Sequence, residues 1–115
     1  MTTDKTGAQV TISANPDLRR YEVYADGELA GFTVYRDRDY DGAAERIFYH
    51  TEVGEAFGGR GLATILVKEA LDATRAENKL IVGVCPLVAM FLTNNPDYAE
   101  ASRPVTDEVL TWLQP

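Results

Sequence analysis

The chain has 115 residues, 45% hydrophobic and 25% charged, which is the balance of a single globular domain over residues 1–115. Its net charge of -7 argues against double-stranded nucleic acid as a partner, because that needs a basic face; the same charge favours a cationic substrate. The longest apolar stretch, at 80–92, is interrupted by Gly83 and Pro86 and is too short and broken to span a bilayer, so no membrane role is expected.

Residues 1–9 are polar and are expected to fray. Met1-Thr2-Thr3-Asp4-Lys5 lacks the apolar centre of a signal peptide, so a cytoplasmic location is the simplest expectation. The single cysteine, Cys85, excludes an internal disulfide and agrees with a reducing compartment. Val10-Thr11-Ile12 reads as a short first strand. Residues 20–24 alternate in the strand sense, Asp26-Gly27 is a hairpin signal, and 29–35 returns antiparallel. The stretch 36–44, rich in Arg, Asp and Gly, reads as a loop. Residues 46–53 form a third long strand, and this meander has one face to cover.

The cover is a helix over 62–78, with Leu62, Ile65, Leu66, Ala70 and Ala73 on one face and Thr64, Lys68, Asp72 and Arg75 on the other. Lys68 and Asp72 are spaced to pair, and Asn78 is the stop signal. Residues 80–84 are a continuous apolar run, as expected of a strand covered on both faces. A helix between two strands implies a crossover and a parallel pair. Pro86 suits the first position of a second helix, with Cys85 at its cap, an apolar face of Leu87, Val88, Phe91 and Leu92, and an end at Asn94-Asn95-Pro96. Pro104 opens a last short helix with acidic residues in its first turn and Val109, Leu110, Trp112 and Leu113 to bury.

The most informative segment is Phe57-Gly58-Gly59-Arg60-Gly61-Leu62-Ala63, between the third strand and the long helix. Glycines there let the backbone approach a ligand, and the helix start adds unpaired N–H donors and a positive dipole end; together they make an anion site suited to phosphate. A plain glycine-rich turn is the alternative. A P-loop is excluded, since no Gly-Lys-Ser/Thr follows. The dinucleotide fingerprint fails because Thr64 stands at its third glycine and the loop falls mid-chain.

The segment resembles motif A of the GNAT acetyltransferase superfamily, Arg/Gln-x-x-Gly-x-Gly/Ala, with Gly61 and Ala63 at its last two positions and Gly58 in place of the Arg/Gln. His50-Thr51-Glu52-Val53 before it, Cys85-Pro86-Leu87-Val88 after it and Asn95-Pro96-Asp97-Tyr98 beyond resemble the ordered motifs of a small single-domain GNAT-like N-acetyltransferase group over residues 21–98. The resemblance implies an α/β (α+β) fold: an antiparallel meander, a crossover helix, a parallel strand and C-terminal helices, without the early helices that usually wall the acceptor site. It implies acetyl-CoA as co-substrate, held by Val53, Gly58, Gly59, Arg60, Gly61, Leu62 and Ala63, with Phe91 and Asn95 at further cofactor-side positions. The acceptor would be an amine-bearing small molecule or a protein lysine. Two departures bear on chemistry. Asn95 replaces a histidine. Phe91 replaces the tyrosine that is the usual proton donor to the CoA thiolate.

Three residues are catalytic candidates. Cys85 ends a strand at a helix start, where the dipole favours a thiolate; it is either an acyl acceptor or packing beside the pantetheine arm. His50 and Glu52, two apart on one strand, share a face and would accept a proton from an ammonium, or else form a surface pair. One histidine leaves no His-based metal cluster to propose. The expected function is direct N-acetyl transfer to a primary amine, with the Val53 N–H among the groups polarising the carbonyl. A CoA-binding module without catalysis is the second reading, and a structural domain without ligand the third.

Overall fold

A computed structural model of the chain describes residues 2, 3 and 6–115. Among the described residues, seven strands lie in chain order in one sheet: β1 (Thr2–Thr3), β2 (Gln9–Asn15), β3 (Arg20–Ala25), β4 (Glu28–Tyr40), β5 (Ala43–Val53), β6 (Leu80–Gly83) and β7 (Ser102–Arg103). β1 to β5 are antiparallel; β6 joins β5, and β7 joins β6, in parallel. Helix α1 (Leu62–Ala76) makes the first crossover, α2 (Pro86–Asn94) lies in the second, and α3 (Asp107–Leu113) closes the chain. This is the α/β fold that the motif order implies.

Among the strands, two expectations are corrected. Fraying of 1–9 does not hold throughout: Thr2 and Thr3 pair with Val10 and Gln9, Gln9 opens β2, and Ala8 is buried. Met1, Asp4 and Lys5 lie outside the described residues. The stretch 36–44 is not a loop. β4 runs on to Tyr40, and the turn is Asp41-Gly42, with φ of 50° and 79°, a second Asp-Gly hairpin like that at Asp26-Gly27. Several of the charges that suggested a loop are paired across the sheet and against α3. Arg38 binds Glu45 at 2.8 Å and Glu108 at 2.7 Å, and the Arg36 and Arg38 guanidinium groups lie 4.4 and 4.9 Å from the Trp112 ring centroid.

Each face of the sheet has its own core. Phe48 and Ile81 point to the α1 side, among Tyr21, Val23, Leu66 and Leu71. Their neighbours Ile47 and Val82 point to the other side, under Val109, Trp112 and Leu113 of α3. Leu110 is exposed, so the apolar set expected to bury α3 is only partly used; the helix itself starts at Asp107, with the Thr106 hydroxyl accepting from the Val109 N–H.

The buried stripe of α1 is Leu62, Leu66, Val67, Ala70, Leu71 and Thr74, rotated from the expected one so that Ile65 and Ala73 are only half-buried. Lys68 and Asp72 pair at 2.8 Å as expected. The helix stops at Ala76 because Asn78 takes φ of 60° and the Lys79 and Asn78 N–H groups return to the Thr74 and Arg75 carbonyls.

Arg46 ties these layers together. Its guanidinium is buried on β5 and binds Asp37 of β4 at 2.8 Å, Glu77 beyond α1 at 2.8 Å and the Tyr21 hydroxyl of β3 at 2.6 Å, and lies 4.2 Å from the Tyr35 ring centroid. Partial burial pulls the Asp37 carboxyl upward, but the hydrogen bonds and charges of Arg46 and Lys79 outweigh it and hold the group below the usual aspartate value. A carboxyl depressed in the folded state stabilises above its unfolded pKa, and that contribution is lost as pH falls through the folded value. Arg46→Leu should therefore cost about 2 kcal/mol near neutral pH, the exposure of Asp37 and Glu77 limiting the loss. Urea unfolding should show the gap to wild type closing as pH drops below ~4. A gap independent of pH would mean that the pair with Asp37 contributes nothing.

Candidate active site

The chain leaves β5 through Gly54, whose N–H donates to the Ala30 carbonyl at 2.8 Å, and a 3₁₀ turn at Glu55–Phe57 leads into the glycine run. Gly59 and Gly61 have φ of 75° and 80°, a region that L-residues with a Cβ avoid. Gly61 caps α1. No side chain caps this helix and its first turn holds no acidic residue. The first intrahelical bond is Ile65 N–H to the Gly61 carbonyl, so the Leu62, Ala63 and Thr64 N–H groups have no acceptor within the helix. They present the positive end of a 15-residue helix at the loop. The Arg60 guanidinium lies 5.3 Å from the Phe57 ring centroid.

Beside this end, Ala63, Thr64 and Val67 of α1, Leu87, Met90 and Phe91 of α2, and Asn95 line a cleft of about 140 Å³. The Asn95 side-chain amide donates to the Phe91 carbonyl at 2.8 Å. The Phe91 ring meets Tyr98 edge-on, with centroids 5.2 Å apart. The Tyr98 hydroxyl donates to Asp72 at 2.5 Å, and burial followed by that bond raises its pKa, so it is engaged on α1. Leu87, expected on the apolar face of α2, is exposed at this cleft, as is Met90; only Val88 of α2 is fully buried.

Next to the cleft the sheet opens. The Phe48 carbonyl accepts from both Val84 and Cys85, at 2.9 and 3.0 Å, and there the pairing of β5 with β6 ends. Cys85 then caps α2, with Pro86 at its first position. Gly83 lets α2 sit close: a Cβ there would lie 3.0 Å from both Val88 and Leu92. On its other edge β5 remains paired with β4. Because Gly54 donates to Ala30, the antiparallel alternation turns the peptide groups of His50 and Glu52 toward β4 and those of Thr51 and Val53 into the gap.

A bulge decides which side chains face which side. Val34 pairs with His50 but Tyr35 pairs with Phe48, so Tyr49 is the extra residue and the faces exchange after it. Thr51 and Val53 join the α1 side, where the Thr51 hydroxyl lies 3.2 Å from the buried Cys85 Sγ and 2.8 Å from the Thr33 hydroxyl. His50 and Glu52 take the opposite side; their Nε2 and Oε1 are 3.0 Å apart, both side chains are more than half exposed, and His50 lies near Phe32. The structure thus brings Ala63, Phe91 and Asn95 to one cleft, and places Cys85 across the sheet from His50 and Glu52. Thr51 and Thr33 escaped the sequence reading. The only signal was a threonine at the alternate position of His50-Thr51-Glu52-Val53.

Residues 20–101 match the family model of the GCN5-related N-acetyl-transferases. The chain belongs to that family, and is by membership an N-acetyltransferase. Among solved structures, a GCN5-like protein from Staphylococcus aureus is similar with a TM-score of 0.60 and 19% identity, over 84% of this chain and 91% of that one. A ribosomal-protein-alanine N-acetyltransferase from Brucella melitensis biovar Abortus 2308 gives a TM-score of 0.55 and 20% identity, over 76% of this chain and 62% of that one. At these identities the likeness is one of fold. No curated protein matches the chain significantly. Among the described residues, no helix is long and apolar enough to cross a membrane.

Gly61→Val tests the loop. A β-branched side chain at φ of 80° strains the cap by about 1–2 kcal/mol and covers the first-turn amides. Wild type should melt higher as CoA is added, by up to about 2.7 kcal/mol of stabilisation at a hundredfold excess over Kd. The variant should fold, melt a few degrees lower and lose that response. A full CoA response in Gly61→Val would remove the loop from the binding site.

Proposed function

We propose that the chain transfers acetyl from acetyl-CoA directly to a primary amine. One observation carries this reading: an uncapped helix N-terminus, on a loop with two left-handed glycines, opens beside the point where β5 and β6 part. The amides at Gly58, Gly59, Arg60, Gly61, Leu62 and Ala63 suit a pyrophosphate, with Phe91 and Asn95 across the cleft. The thioester arm would follow the unpaired edge of β5, where the Thr51 and Val53 N–H groups face the gap and Val53 serves the carbonyl oxygen.

A thioester in that gap has the His50–Glu52 pair on one side of the sheet and the Cys85 thiol on the other. The amine nitrogen attacks the carbonyl carbon, the C–N bond forms and the C–S bond breaks. The nitrogen gives its proton to His50 or Glu52. The CoA sulfur leaves as thiolate or takes a proton from Cys85 or water. The acidic chain favours a cationic acceptor, a small amine or a protein lysine, over nucleic acid or a membrane surface. The free cysteine suits a cytoplasmic setting.

A second reading, a CoA-binding module without useful catalysis, draws on Phe91. The usual phenol is missing there, and the Tyr98 hydroxyl is tied to Asp72. An amine panel assayed across pH separates the two. Transfer should occur to at least one primary amine, with the rate rising well below the ~10.4 at which a free lysine amine deprotonates. His50→Ala and Glu52→Gln should change the shape of that profile, with a loss of about 10²- to 10⁴-fold for whichever is the base. Wild-type profiles in both variants would exclude both as the base. Full activity in Cys85→Ala would exclude an acyl-cysteine intermediate. Tight CoA binding without transfer to any amine would favour the binding module.

A further inference from the structure

Thr33, Thr51 and Cys85 form a hydrogen-bonded row on the α1 side of the sheet, 2.8 Å between the two hydroxyl oxygens and 3.2 Å from Thr51 Oγ1 to Sγ. Thr33 is fully buried, and among the described residues Thr51 is the side-chain partner of its hydroxyl. Each hydroxyl carries one hydrogen, and a buried hydrogen without an acceptor is costly. If the thiol donated to Thr51 and Thr51 to Thr33, the Thr33 hydrogen would point into the core with nothing to receive it. The opposite order satisfies both hydroxyls: Thr33 donates to Thr51, Thr51 donates to Sγ, and only the sulfur's own hydrogen, a weaker donor, stays unspent.

We infer that Thr51 is a positioning residue, whose hydroxyl donates to Cys85 Sγ in an order set by Thr33, leaving the S–H available to a ligand in the gap between β5 and α2. The order of the bonds rests on satisfying the two hydroxyls and not on the function; its use in catalysis rests on the transferase reading. When Cys85 protonates a departing CoA thiolate, its S–H bond breaks and one forms on the CoA sulfur. The cysteine thiolate left behind meets a donor already aimed at it, then regains a proton from water.

Because the chain holds one cysteine, its S–H stretching band is a single signal in infrared or Raman spectra of the unliganded protein. Wild type should show the narrow, high-frequency band of a thiol that donates no hydrogen bond, and Thr51→Val should leave it there. A broadened, red-shifted band in wild type that moves up in Thr51→Val would mean the thiol donates, and would overturn the inference without bearing on whether the chain transfers acetyl. In turnover, Thr51→Val should lower kcat about tenfold with KM for acetyl-CoA unchanged, as expected for one lost hydrogen bond to a charged group, and Thr51→Ser should restore it. Wild-type kcat in a folded Thr51→Val would overturn the positioning role. Failure of wild type to acetylate any amine would instead fall on the transferase reading, and the band would still decide the order of the bonds.

Discussion

One carbonyl sets the geometry of the candidate site. Phe48 O receives the N–H groups of both Val84 and Cys85, and with that double bond the parallel pairing of β5 and β6 is used up. Beyond it β6 turns into α2, while β5 continues for five residues held on one edge only. An unpaired strand edge inside a fold is normally a liability, since its peptide groups need partners. Here it lies beside an uncapped helix end and a cleft, where a ligand with polar groups along an extended arm would supply them. The bulge at Tyr49 adds the second element, placing a thiol and two threonines on one side of the opening and a His–Glu pair on the other.

The opening needs a rigid frame, and much of that frame is electrostatic. Arg46 joins β3, β4, β5 and the end of α1 through a guanidinium that is almost fully buried. Arg38 and Arg103 both reach Glu45, itself buried, and Arg38 continues to Glu108 of α3. These pairs lie at the end of the sheet away from the gap, where β4, β5 and β6 stay in register. A small domain with a parted sheet has limited apolar area to spend on that end, and satisfied ion pairs make its geometry specific. Each buried side-chain polar atom among the described residues has a partner.

Most of this frame was legible from local chemistry. Asp26-Gly27 marked its hairpin, Asn78 stopped α1, and Pro86 started α2, because each acts through its own backbone preference. The stretch 36–44 was not legible. Arg36, Asp37 and Arg38 look solvated in sequence, and their partners are Arg46 across the hairpin and Trp112, Glu108 and Lys79, all distant in the chain. The buried stripe of α1 was displaced for a similar reason: Val67 and Leu71 face a core that the strands define, not the helix alone. At the site, the glycine run and Cys85 stood out by residue type. Thr51 did not, since its place beside Cys85 depends on a bulge at Tyr49 that no local signal marks.

In the proposed complex a CoA arm runs from the α1 N-terminus into the gap beside β5. Amide ¹H–¹⁵N spectra recorded during titration with acetyl-CoA test it most directly. Binding there should move the signals of Gly58, Gly59, Arg60, Gly61, Leu62 and Ala63 together with those of Thr51 and Val53, whose N–H groups face the opening, while Glu52, bonded toward β4, moves less. Shifts confined to the far end of the sheet around Arg36 and Trp112, or none at saturating acetyl-CoA, would contradict it.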